Sequence, residues 1–148
     1  MSYIVARGQI RASVISTNRE RWTEALRDSV AEYVSLLISA SVVKQAMRQD
    51  PLKTVSKNHD LLQLVERIIL VKNKIMLMTN PNESRYTELR DVVEATYQAL
   101  ASDDPQFIVK IHAGFEAITR AAERFSGQSG RESSAETDNR PLRTTVTT

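Results

Sequence analysis

Cysteine is absent from this chain of 148 residues, which removes disulfides, thiolate nucleophiles and cysteine-bound zinc together. Only four glycines and four prolines are present, too few for a fold made of many tight turns. No charge of one sign dominates. Twenty Lys and Arg stand against 18 Asp and Glu, a net charge of +2, so the total implies neither a nucleic-acid nor an acidic-membrane partner. The sequence pI of about 9.0 reflects that small surplus. The most apolar stretch near the N-terminus, residues 33–43, is interrupted by Ser35, Ser39 and Ser41 and falls far below the roughly 20 residues that span a bilayer. No membrane span is therefore expected. Nor is a secretory signal visible, since Arg7 and Arg11 follow only a few apolar residues.

What the chain does have is apolar side chains at helical spacing. Trp22, Leu26, Val30, Tyr33, Leu37, Ala40 and Met47 recur every three, four or seven residues, so residues 9–48 read as one long amphipathic helix. Asp50-Pro51 ends it, because proline disfavours a helical residue before it and has no N–H to donate. A second helix is predicted over 57–79, with Ser56 or Asn58 as its cap. Its apolar positions, from Leu61 to Met78, cover well over half of its circumference, which predicts the most buried helix of the set. Asn80-Pro81-Asn82-Glu83 reads as N-cap, first helical position and capping box of a third helix that runs to 101. Ser102-Asp103-Asp104-Pro105 repeats the signal before a fourth, which reaches 126 with Ile108, Ile111, Phe115, Ile118, Ala122 and Phe125 on one stripe. Gly114 in mid-helix reads as a close helix contact rather than a ligand site. From Gly127 onward Ser, Thr, Gly, Arg and Glu dominate, a composition that cannot offset its ordering entropy.

The resulting expectation is an all-α protein, an antiparallel four-helix bundle or close variant, with a bundle domain over 1–126 and a disordered tail over 127–148. The first helix is nearly twice as long as the others. Its half up to about Arg21 therefore has no partner within the chain, and either bends back near residues 13–18 or protrudes.

Little reads as chemistry. Glu20, Glu24, Asp28 and Glu32 form an acidic ladder at four-residue steps, which reads as a solvated face balanced by Arg21 and Arg27 rather than a metal site. A di-iron bundle needs Glu-x-x-His pairs, but Glu66 is followed at that spacing by Ile69 and Glu116 by Thr119. His59 and His112 are isolated, and no Ser-His-Asp order, phosphate loop or HExxH motif is present. No catalytic, cofactor-binding or metal-binding residue is nominated, and no small-molecule substrate is implied. What stands out is the unpartnered half-helix. Ile10, Val14 and Ile15 are candidates for contact with a second copy or a protein partner. Arg7, Arg11, Arg19 and Arg21 are candidates for contact with phosphate, of nucleic acid or of a membrane surface, although only Tyr3 and Trp22 supply aromatics near them.

Two segments carry a family likeness. One is Arg7-Gly8-Gln9-Ile10-Arg11-Ala12, leading through Asn18-Arg19-x-x-Trp22-x-x-x-Leu26-Arg27-Asp28 to Ala31-Glu32-Tyr33. The other is Ile75-x-Leu77-x-x-Asn80-Pro81-Asn82-Glu83. Together they resemble a group of small, uncharacterised bacterial helical proteins over residues 7–100. Such proteins begin with a transmembrane helix that runs into the arginine-bearing segment and continues as a cytoplasmic helical domain. The resemblance implies a cytoplasmic location for this chain, with or without attachment to a membrane, but carries no activity with it. The anchor is not seen here, and the overhang is where one would attach. A non-enzymatic interaction or scaffolding module, self-associating through the first helix, is the expected function. Binding of nucleic acid or an anionic membrane through the arginines is the alternative.

Overall fold

In a computed structural model, which describes residues 2–50, 52 and 54–127, the periodic segments are four α-helices, and no strand occurs among the described residues. Helix α1 spans Ser2–Gln49, 48 residues or about 72 Å at 1.5 Å per residue. It contains one glycine and no proline, so nothing in its covalent structure breaks it, and it runs on without bending back at 13–18. Helices α2 (Thr54–Met78), α3 (Ser84–Ala101) and α4 (Phe107–Gly127) follow, at 25, 18 and 21 residues. The expected tail lies outside the described residues, save its first position, Gly127, which ends α4.

The three connections use one local device. Asp50 Oδ1 accepts the Leu52 N–H at 3.2 Å, Asn80 Oδ1 the Asn82 N–H at 3.0 Å and Asp104 Oδ1 the Gln106 N–H at 2.8 Å. Each is an Asx turn whose next residue is proline, so the side chain closes the turn that proline's fixed φ opens. This corrects the predicted helix starts. Asn80 caps its own turn and not α3, whose N-cap is Glu83 with no side-chain cap hydrogen bond. The Glu83 carboxylate takes the Arg85 guanidinium at 2.7 Å and does not reach back in a capping box. Likewise α4 begins at Phe107 and not at Pro105, and α2 begins at Thr54, ahead of both expected caps.

Side-chain contacts set the direction of each helix. Trp22 packs edge-on against Tyr86 with ring centroids 5.7 Å apart, Tyr33 reaches Val93, and Lys44 reaches Ser102, so α1 and α3 run in the same sense. Ser29 meets Met78 while Glu32 meets Arg67, so α2 runs against α1. Arg124 pairs with Glu88 and Gly114 faces Thr96, so α4 runs against α3. The core between them holds Leu26, Val30, Tyr33, Leu37 and Ala40 of α1, with Ile68, Val71 and Ile75 of α2. Leu89 and Val93 of α3 and Phe107, Ile111 and Ile118 of α4 complete it. The stripe read from Trp22 to Ala40 is thus the core-facing one, half-buried at Trp22 and buried from Leu26 onward, and burial of each Leu or Val in it contributes about 1.5–3 kcal/mol.

At its centre is a polar knot. The Tyr33 hydroxyl donates to the Val93 carbonyl at 2.7 Å and lies 3.1 Å from Thr96 Oγ1, and burial pushes the phenol up to about 12. Thr96 Oγ1 also lies 2.9 Å from Val92 O and 3.0 Å from Val93 O, which fixes its rotamer. Its methyl then points at Gly114, where an added Cβ would sit 2.0 Å from Thr96 Cγ2. Gly114 therefore marks the close approach of α3 and α4 that its position predicts.

Cations from neighbouring helices complete two helix C-termini, whose last carbonyls lack intrahelical donors. Arg90 of α3 donates to the carbonyls of Met76 and Thr79, both at 2.7 Å, at the end of α2. Lys44 of α1 donates to Leu100 O at 2.5 Å and to Ser102 O at the end of α3, and its Nζ stands 4.7 Å from the Phe107 ring centroid. Arg48 covers the same ring at 4.9 Å and donates to Asp103 O at 2.8 Å and Asp104 O at 3.1 Å. Arg90→Met keeps the stem and removes the donors. It is expected to lower the unfolding free energy by about 1.5–3 kcal/mol, read as a shift of the urea midpoint at unchanged m-value. A shift indistinguishable from zero would show that water replaces the guanidinium at the α2 terminus.

Candidate interaction surface

Trp22 and Tyr86 close one end of the core, and α1 continues beyond them. Gln9 and every residue from Arg11 to Arg21 have exposed side chains, Val14 at 52% and Ile15 at 67%. The predicted overhang is therefore a projecting helix with exposed side chains, and Arg19, near its base, comes within electrostatic reach of Tyr86. The Ile10 and Arg7 side chains lie outside the described residues. Arg11, Arg19 and Arg21 are brought onto one side of the projecting helix, since at about 100° per residue they fall within an arc of about 160°. Val14 and Ile15 are neighbours in sequence that point about 100° apart.

The other sequence candidates disperse. Within the acidic ladder, Glu32 is taken by Arg67 at 2.5 Å and Glu20 lies 3.4 Å from Ser16 Oγ, and no group of three metal-ligating side chains forms among the described residues. His59 is exposed and bonded to Gln63 at 3.0 Å, while exposed His112 meets the Phe115 ring at 5.6 Å. Burial depresses Lys44 below the usual lysine value, with Arg48 adding to it, and raises Tyr86. Glu94 is held below the usual carboxylate range by hydrogen bonds from Lys72 and Gln98, and Asp104 by one from Lys110. Each of these groups is engaged in a structural contact.

Two features escaped sequence reading. Helix α2 is not the most buried helix. Ile68, Val71 and Ile75 face the core, but Leu62, Leu70 and Leu77 are 55%, 63% and 88% exposed. Its excess of apolar positions was legible, but which arc would be covered was not. An open groove of about 500 Å³ also runs between α1 and α4, lined by Val30, Val34 and Ile38 on one side and Ile118 and Ala122 on the other. It exists because α1 packs closely on α2 and α3 on α4, while α1 and α4 meet only loosely.

The expected absence of a membrane span needs qualification. By length and composition alone, Arg11–Gln49 within α1 is long and apolar enough to cross a bilayer. The reason is that the core stripe and the exposed Ile38 and Val42, at 46% and 63%, lie on one helix and add together in a linear reading. The stripe itself is used inside the protein, where Tyr33, Leu37 and Ala40 are fully buried.

Neither a family model, nor a curated protein, nor a solved structure matches the chain.

Proposed function

We propose that the protein is a non-enzymatic interaction module, an antiparallel four-helix bundle that self-associates through the projecting half of α1, in the cytoplasm or at a membrane to which that half is tethered. One observation supports this reading above the others. Val14 and Ile15 stand more than half exposed on a helix that carries them clear of the bundle. Apolar side chains held out on a rigid rod gain most from a second protein surface. Ile10 lies one turn before Val14 and extends the same contact. Light scattering at low micromolar concentration is expected to give a dimer or higher species, and removing residues 1–18 is expected to reduce it to a monomer at that concentration. A monomer in both cases would end the proposal.

A second reading rests on Arg11, Arg19 and Arg21, all exposed and engaged in no ion pair among the described residues. With Arg7 they offer positive charge to a phosphate-bearing surface, either anionic lipid or nucleic acid. Such binding would weaken steeply with salt and vanish when Arg7, Arg11 and Arg19 are changed to Glu. Binding indifferent to salt would exclude it.

A further inference from the structure

We propose that the outer face of α2 is a second self-association surface, on which two copies of this chain pair antiparallel about a two-fold axis at Leu70. At about 100° per residue, Leu62, Glu66, Leu70, Asn73 and Leu77 fall within an arc of about 80°. That arc lies opposite Ile68, Val71 and Ile75, which face the core. The three leucines are 55%, 63% and 88% exposed, and they span about 22 Å of helix at 1.5 Å per residue. A chain that leaves three leucines in water along one line has an unpartnered face.

The occupant follows from the symmetry of the strip. Read outward from Leu70, leucine stands eight residues before and seven after, while a carboxylate stands four before and an amide and an ammonium three and four after. Turning a second α2 end for end about Leu70 sets Leu62 against the second copy's Leu77 and Leu70 against Leu70. It also sets Glu66 beside the second copy's Asn73 and Lys74. A two-fold axis repeats every match, as a self-complementary interface requires. In-register parallel pairing would set Glu66 against Glu66 and Lys74 against Lys74, both repulsive. The two charges are free for this role. Arg67 is held by Glu32 at 2.5 Å and Lys72 by Glu94 at 2.7 Å, whereas exposed Glu66 and Lys74 have no ion-pair partner among the described residues. One helix face is a small interface, below the roughly 1,000 Å² of stable complexes, so the pairing is expected to be weak and concentration-dependent.

The surface is independent of the projecting half of α1, and the test separates the two. In the full chain, Ile15→Glu removes the α1 contact, and sedimentation equilibrium from about 1 to 200 µM then reads what remains. A reversible dimer is expected. Adding Leu70→Lys should make it monomeric throughout, and adding Glu66→Lys should weaken it at least about tenfold. Adding Glu66→Lys with Lys74→Glu should return the affinity to within about threefold, because the swapped charges meet again only in the antiparallel two-fold pair. Circular dichroism confirms that each exposed substitution keeps the helices. A monomer at every concentration in the Ile15→Glu chain overturns the proposal. So does a dimer unmoved by Leu70→Lys, which would leave the leucines to a different protein, or a charge swap that fails to restore it, which would exclude the antiparallel two-fold register.

Discussion

Tyr33→Ala is expected to lower the unfolding free energy by about 3–5 kcal/mol, the largest effect of any single truncation in the core. The side chain is 0% exposed, and its ring fills the centre of the molecule between α1 and α3. Its removal leaves a cavity and takes a donor from the Val93 carbonyl and a neighbour from Thr96. Tyr33→Phe separates the terms. It keeps the ring and loses the hydroxyl, at a cost of about 1–2 kcal/mol. The same pair of proteins carries a pH signature. The folded phenol titrates at about 12 against an unfolded value of 10.0, so the folded state holds its proton more tightly. That stabilising contribution is complete below pH 10 and is lost as pH rises from 10 to 12, on the order of 2–3 kcal/mol in all. Urea titrations across that range should show wild-type stability falling more steeply than that of Tyr33→Phe. Parallel curves would show that the hydroxyl reaches water.

Gly114→Leu comes next, with an expected loss of about 3 kcal/mol. The first added carbon already lies 2.0 Å from Thr96 Cγ2, a separation that no packed pair of carbons tolerates. Thr96 cannot turn away without giving up the hydroxyl bonds to the Val92 and Val93 carbonyls and the contact with Tyr33. The helices must therefore separate. Gly114→Ala is expected to cost less, about 1 kcal/mol net, because alanine regains up to about 1 kcal/mol of helix propensity. Thr96→Ser deletes the offending methyl and keeps the hydroxyl. In the double variant with Gly114→Ala the penalty should fall by more than half, and a double-mutant cycle in thermal or urea unfolding measures that coupling. Strict additivity would mean that the strain is relieved elsewhere.

The helices were readable from the chain because their signal is local. Leu26, Tyr33, Leu37 and Ala40 recur at the period of one helical face, and that face is the buried one. Asp50-Pro51, Asn80-Pro81 and Asp104-Pro105 marked every connection. The same dipeptides misplaced the helix starts, because an Asx side chain can close its own turn or cap the next helix, and the two options share one sequence. That half of α1 would lack a partner within the chain was also foreseeable, since length is additive and the other helices are too short to cover it, but whether it would bend back or project was not.

Periodicity by itself determined that this protein is helical, that four helices form and where the chain turns, because each of those outcomes depends on residues within a few positions of one another. Only tertiary structure decided which neighbours each helix keeps. It left Leu62, Leu70 and Leu77 of α2 in water and opened a groove between α1 and α4. It also set Thr96 against Gly114 and turned Arg90 and Lys44 into caps for helices other than their own. An apolar arc states only that a surface favours leaving water, and whether another helix reaches it depends on contacts between residues far apart in the chain.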